Sequence, residues 1–436
     1  MATAAPDRTA DVGNVPAQRT GPPDPRRRNA TVLVAFTAAT NLADGVVKTI
    51  LPLIAAQLTA SPIQVTAVSL AFTLPWLLFA LHLGVLVDRF DRRRLLWGAN
   101  GLRLAAMGWL TASAASGGIT IGGLLTAGAV LGIADVLAST SASALVPAAV
   151  PAERRERANA WMVGAETVGQ EFAGPFVGGL LLAAGTSLAL GATGVSYALA
   201  ALLLILLAGR FRAARPGPHQ APAPAPASAP VSVNGRIAEG IRLLWRDRML
   251  RTLSLIVVVL AAVWGAWLAL IPLYAARSVG LGPGQYGIVL SALGVGGLAG
   301  TLVVTRVNRL LGVRWAMFAD LVGTTAMVAL PALTTSVWAV AAGAFLGGMG
   351  GTLWTVNIRT IAQRTIPDEM LGRYNAAARL FSFGAMPLGV ALGGALAELA
   401  GIRLAFGLFA VATAATAAPF LRNVTRSALR SRPEHA

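Results

Sequence analysis

Asn41, Asp44 and Lys48 stand at i, i+3 and i+7 in a stretch of otherwise apolar residues. In a helix they share one face, so an amide, a carboxylate and an ammonium stack along it. A charge in the middle of an apolar span costs about 2.5–3.5 kcal/mol on insertion scales, so each one needs a reason. The chemistry these side chains support is the movement of protons and charge. Asp44 and Lys48, one turn apart, can pair in two ways. In a coupled pair, Asp44 takes up a proton in one conformation and Lys48 or a cationic substrate displaces it in the other. In a static pair the two charges simply cancel. Arg103, Asp135 and Glu166 form a second group, each roughly 12–16 Å from the inner end of its span at 1.5 Å per residue. An arginine facing two acids is a structural latch or a proton relay, with the latch preferred. Glu171 and Gln170 extend the same path. The proton-coupling candidates are therefore Asp44, Asp135, Glu166 and Glu171, with Lys48 and Arg103 as their partners. Farther on, Asp320 and Arg379 lie at similar depths and can pair with each other. Trp264 and Trp267 are one turn apart, and Thr355 and Arg359 share a helix face. Together with Asn41 and Asp44 they are candidates to line a substrate cavity.

Other chemistries are excluded by what the chain lacks. It has no cysteine, so it has neither disulfides nor thiolate metal sites. His82, His219 and His435 are scattered, which leaves no metal cluster. No glycine-rich phosphate loop is followed by Lys and Ser/Thr, and no nucleophile–base set stands out. The expectation is a protein that is not an enzyme and needs no cofactor. Hydrophobic residues make up 56% of the chain and charged residues 12%. A soluble domain carries about 25% charge, so this is a polytopic membrane protein. The net charge of +17 does not point to nucleic acid, because the basic residues are arginines in short loops and Lys48 is the only lysine.

The elements that position these groups are apolar runs long enough to span a bilayer, about 20 residues each. Candidates lie near 31–58, 63–86, 95–115, 119–147, 157–184 and 187–208, and again near 252–276, 285–305, 314–333, 337–362, 372–399 and 402–421. The two sets repeat each other at an offset of roughly 216–221 residues. Leu51-Pro52-Leu53 returns as Ile271-Pro272-Leu273, Pro62 and Gln64 as Pro283 and Gln285, and Pro151, Glu153 and Arg157 as Pro367, Glu369 and Arg373. The fold expected is all-α: twelve transmembrane helices in two six-helix repeats, 31–208 and 251–421. Two parallel bundles around a central cavity is how many secondary transporters are built. Arginines crowd alternate loops, which places both termini in the cytoplasm under the positive-inside rule. Residues 1–30 read as a disordered tail and 422–436 as a cytoplasmic one. Between the bundles, 209–250 combines a Pro/Ala linker with a basic amphipathic helix suited to an inner surface of anionic lipids.

The loop after the second span reads Gly84-Val85-Leu86-Val87-Asp88-Arg89-Phe90-Asp91-Arg92-Arg93-Arg94. It resembles the signature loop of the major facilitator superfamily, G-x-L-x-D-R-x-G-R-R, at Gly84, Leu86, Asp88, Arg89, Arg92 and Arg93. It departs at Asp91, where the family has glycine. Gly174-Pro175-Phe176-Val177-Gly178-Gly179 resembles the G-P-x-x-G-G core of the antiporter signature of drug exporters, a helix bend with close packing. The fourth-span arginine of many proton antiporters has no match, and Asp135 is the charge there. From about residue 30 to 421 the chain resembles the bacterial exporter branch that includes enterobactin exporters and macrolide or multidrug efflux proteins. The resemblance implies efflux, and the reading of the whole chain is a monomeric, proton-coupled exporter of amphipathic small molecules in the bacterial cytoplasmic membrane. The loop at Gly84, Asp88, Arg89, Arg92 and Arg93 would gate its inner side. The alternatives are an importer or uniporter on the same fold, and a non-transporting membrane sensor or partner.

Overall fold

Backbone N–H and C=O groups in a bilayer find no water, so an apolar run must close its hydrogen bonds on itself. In the computed structural model, which describes residues 25–207, 242, 245, 247–281, 283–366 and 368–425, every described element is helical. The first half comprises α1 (Pro25–Leu58), α2 (Pro62–Arg89), α3 (Arg92–Ala115), α4 (Ile121–Ala149), α5 (Ala152–Thr167), a π turn (Val168–Ala173), α6 (Gly174–Ala184) and α7 (Thr186–Ile205). The second half comprises α8 (Arg248–Tyr274), a second π turn (Ala275–Val279), α9 (Pro283–Leu311), α10 (Val313–Leu333), α11 (Val337–Thr365), α12 (Asp368–Ala400), α13 (Ile402–Ala415) and α14 (Ala417–Asn423).

Among the described residues, nine helices are long and apolar enough to cross a membrane. The other three expected crossings are α3, α5 with α6, and α12. Each carries charges at its arginine-rich end, and the α5–α6 crossing is also interrupted by the π turn. α12 still contributes an apolar stretch, Gly384–Ala400. Two boundaries differ from the sequence reading. The first helix starts at Pro25, inside the segment expected to be tail, and the fifth span is α5, π turn and α6. The Pro/Ala linker lies outside the described residues, as does most of the basic helix after it.

The repeat is visible in the packing. Gly132 of α4 sits against the carbonyl oxygen of Phe72 in α2, and Gly348 of α11 sits against that of Leu293 in α9. A Cβ at either glycine would overlap the oxygen. Arg93 donates to the carbonyls of Leu204 and Ile205 at the end of α7, and Arg314 donates to that of Leu421 in the last turn of α14. Cations at a helix C-terminus satisfy carbonyls the helix leaves open. Asp91 begins α3 as its N-cap, its Oδ1 accepting from Arg93 N–H at 2.9 Å and Arg94 N–H at 3.2 Å. That explains the departure from glycine in the loop motif, because aspartate is among the strongest N-caps.

Among the described residues, the apolar core shared by the two halves lies at one end. At the end bearing the α1–α2 turn, buried residues of both halves form one apolar cluster, including Leu53, Ile54, Phe72, Trp267, Tyr274 and Leu290. Glu398 of α12 seals it, accepting from Ser61 Oγ at 2.7 Å and from Ile63 N–H at 3.2 Å, so an acid of one half caps the first turn of α2 in the other. At the arginine-rich end the described buried residues form two separate clusters. One contains Leu33, Phe36, Leu96 and Leu145, the other Leu250, Leu253, Met317 and Phe420.

Candidate functional site

Asp44 on α1, Arg103 on α3 and Asp135 on α4 meet inside the first half. Arg103 Nη2 lies 2.6 Å from Asp44 Oδ2 and 3.3 Å from Asp135 Oδ1. The second oxygen of each acid is also engaged. Tyr197 on α7 donates its hydroxyl to Asp44 Oδ1 at 2.6 Å, and Trp76 on α2 donates its indole N–H to Asp135 Oδ2 at 2.8 Å. The Arg103 guanidinium also lies over the Tyr197 ring, 5.1 Å from its centroid. Asp44 and Arg103 are each 1% exposed, Asp135 3% and Tyr197 0%, so water does not screen the cluster. Two carboxylates share one guanidinium here. With both acids ionised the two carboxylates and the guanidinium sum to one negative charge, and the Lys48 ammonium stands one turn along α1.

The geometry corrects the pairing expected along α1. Asp44 does not pair with Lys48. Its two oxygens take a guanidinium N–H and a phenol, while Lys48 Nζ turns to Gln170 Oε1. Gln170 in turn donates to Asn41 Oδ1 at 2.6 Å. The first π turn makes that reach possible. Its closing bond runs from Gly174 N–H back to Gly169 C=O, five residues earlier, which widens the helix where it meets α1. The seam is backbone on backbone. A Cβ on Gly45 would lie 2.5 Å from Gly169 O, and one on Gly174 would lie 2.6 Å from Gly45 Cα. Gly178 packs on Val46 and Gly179 is buried, so the antiporter-like segment works as the α1 seam.

Lys48 and Gln170 line a cavity of about 80 Å³ between the halves, with Phe72 and Pro175 beside them and Leu268, Leu293 and Met386 on the far wall. Lys48 Nζ is 5.8 Å from the centre of the Phe72 ring.

The remaining candidates are dispersed. Glu166 is exposed on α5 and takes no place in the Arg103 cluster. The side chains of Asp88, Glu171 and Arg379 lie outside the described residues, so the Asp320–Arg379 pairing does too. Asp320 is buried on α10, accepts from the Thr324 hydroxyl at 3.1 Å, and faces Gly350 of α11 at close range. Trp267 is fully buried in the shared core and donates to Met327 C=O at 3.2 Å, so it is a packing residue and not a cavity wall. Trp264 packs against the same core, and Thr355 and Arg359 are exposed on α11. In the motif loop Gly84 lies within α2, Arg89 is exposed, and Arg92 donates to Ala144 C=O of α4 at 2.8 Å. The described hydrogen bonds of this loop stay within the first half. Tyr197 and Trp76 carry no signal in the sequence beyond being polar-tipped aromatics in apolar spans.

Comparison with known proteins agrees with this architecture. Residues 30–432 match the transmembrane secretion effector family. The multidrug efflux pump Tap of Mycolicibacterium fortuitum is 26% identical over 393 residues, covering 87% of this chain and 92% of that protein. Tap of Mycobacterium tuberculosis is 28% identical over 402 residues, covering 87% and 90%. A bacterial homologue of the iron transporter ferroportin, in an inward-facing state, superposes with a TM-score of 0.68 at 18% identity, over 92% of this chain and 99% of that one. An outward-facing structure of such a homologue gives 0.56 at 17% identity, over 91% and 99%. With two six-helix halves sealed at one end, and a family match running almost from end to end, the chain belongs to the transmembrane secretion effector family and has the major facilitator fold.

Proposed function

We propose that the chain is a proton-driven exporter of amphipathic small molecules in the bacterial cytoplasmic membrane, working as a monomer by alternating access. The bundles 31–208 and 251–421 rock as units. The arginine-rich ends and both termini face the cytoplasm, and 209–250 lies along the anionic inner leaflet. In that orientation the sealed end is extracellular and the structure is the inward-open form.

The observation that carries the reading is the buried Asp44–Arg103–Asp135 cluster, in which two acids share one base. Its three side chains sum to zero with one proton aboard, and an excess charge in an apolar span is expensive. A proton arriving from outside discharges the cluster, and one leaving to the cytoplasm recharges it, so occupancy biases the rocking equilibrium. Asp44 is the preferred carrier because α1 links this cluster to the cavity four residues on, at Lys48. The efflux function of Tap supports the export direction.

The test uses inside-out vesicles energised with a proton gradient, following uptake of lipophilic dyes by the natural chain and by Asp44→Asn. One charge moved through 100 mV is worth about 2.3 kcal/mol, a bias of roughly fiftyfold. The expected result is uncoupler-sensitive uptake that falls by about that factor in Asp44→Asn at equal protein level. Uptake indifferent to the uncoupler would overturn proton coupling. Accumulation only in right-side-out vesicles would reverse the direction.

A further inference from the structure

This inference rests on the transport reading and concerns what the cavity takes. Its walls are the same repeat read twice. Lys48 corresponds to Leu268, Gln170 to Met386 and Phe72 to Leu293, and all six line the cavity. In each pair the first half supplies the polar or aromatic member and the second half the aliphatic or thioether one. At these three pairs the first-half side is the more polar, while Tyr286 adds a phenol to the second-half wall.

Lys48 is the chain's only lysine, and its Nζ bonds to the neutral amide oxygen of Gln170. Among the described residues no carboxylate lies within ion-pairing reach of it. The acid one turn away, Asp44, is taken by Arg103 and Tyr197. Among the described residues the Lys48 ammonium has a neutral amide oxygen and the face of the Phe72 ring as its near neighbours, and away from bulk water an ion pair is worth more than a contact with a neutral dipole.

We propose that the cavity binds amphipathic organic acids. The carboxylate seats on Lys48 in place of the Gln170 oxygen, and the apolar body lies against Leu268, Leu293 and Met386. At about 80 Å³ the enclosed space holds the acid head and its first carbons. The rest of the molecule extends towards the arginine-rich end, where the described buried residues of the two halves form separate clusters. A permanent cation is excluded, because it would set a like charge against Lys48.

The probes are N-dansyl-phenylalanine and its carboxamide, which share one body and differ in the acid. Binding to the purified full chain in detergent is read by equilibrium dialysis against protein-free micelles. The acid is expected to bind about tenfold tighter than the carboxamide, the difference of one charge-assisted contact. Lys48→Met is expected to bring the acid to the carboxamide's level, and Lys48→Arg to keep the preference. Equal binding of the two probes by the natural chain would overturn the proposal, and that comparison needs no variant. An acid preference surviving Lys48→Met, or neither probe binding above the micelle background, would do the same. Failure of the transport reading shows separately, as an acid preference intact in a chain that drives no flux in energised vesicles.

Discussion

Arg103→Met is expected to destabilise the protein by about 3–5 kcal/mol, the cost of leaving buried charges without their counterion. Arg103 Nη2 holds both Asp44 and Asp135, and every member of the cluster is almost completely buried. With the guanidinium gone, two carboxylates face each other across an apolar bundle with only Tyr197 and Trp76 as donors. The discriminating measurement is rescue. In Arg103→Met/Asp44→Asn/Asp135→Asn the amide oxygens can still accept from the Tyr197 hydroxyl and the Trp76 indole, and no charge remains. Thermal unfolding in detergent, followed by the surviving monodisperse fraction, should show the single variant collapse and the triple variant recover most of the loss. A single variant as stable as the natural chain would show that the cluster does not hold α1, α3 and α4 together. A rescued triple variant should still lack proton-driven flux, which separates the packing role of the cluster from its coupling role.

Gly174→Ala is expected to cost about 1–3 kcal/mol and to abolish flux, although it adds a single methyl group. That methyl would lie 2.6 Å from Gly45 Cα and 2.5 Å from Gly169 O, so backbone and not a flexible side chain must give way. The displacement falls on the seam that brings Gln170 to Lys48. Gly164→Ala is the matched control earlier on the same span, where a Cβ meets open space. There alanine should be neutral or stabilising by roughly 0.5–1 kcal/mol, the ordinary gain for replacing a mid-helix glycine. The two variants should therefore separate in melting temperature and in dye flux. Equal behaviour would show that the α1 seam tolerates separation.

The residues that resisted a sequence reading did so for identifiable reasons. The bundle was legible because spanning runs, arginine-rich loops and a long internal repeat are one-dimensional signals. So were the members of the charge cluster, since Asp44, Arg103 and Asp135 stand out against apolar neighbours. The pairing was not legible. Spacing along α1 puts Lys48 next to Asp44, but the partner of Asp44 is set by how α1 rolls against α3 and α7, and the glycine seam decides that. The pairing of Gln170 with Lys48 was obscured by the π turn, which adds a residue and so rotates the remainder of the span by roughly 100°. Tyr197 and Trp76 were silent because a buried aromatic in a membrane span usually only packs. The departure at Asp91 has its reason in three dimensions, where the carboxylate caps α3.

The seal between the halves has a thermal consequence. It is built from Leu53, Phe72, Trp267 and Leu290 and their neighbours, with Glu398 as its charged clasp. Opening that end wets apolar surface, which contributes a positive heat capacity to the switch between the two states. Hydrophobic closure weakens on cooling. The population open at this end should therefore rise as the temperature falls, and turnover plotted against inverse temperature should bend and not run straight. A bacterium growing in the cold would meet a pump whose resting posture differs from the one it holds in warmth, with no change in sequence, substrate or voltage.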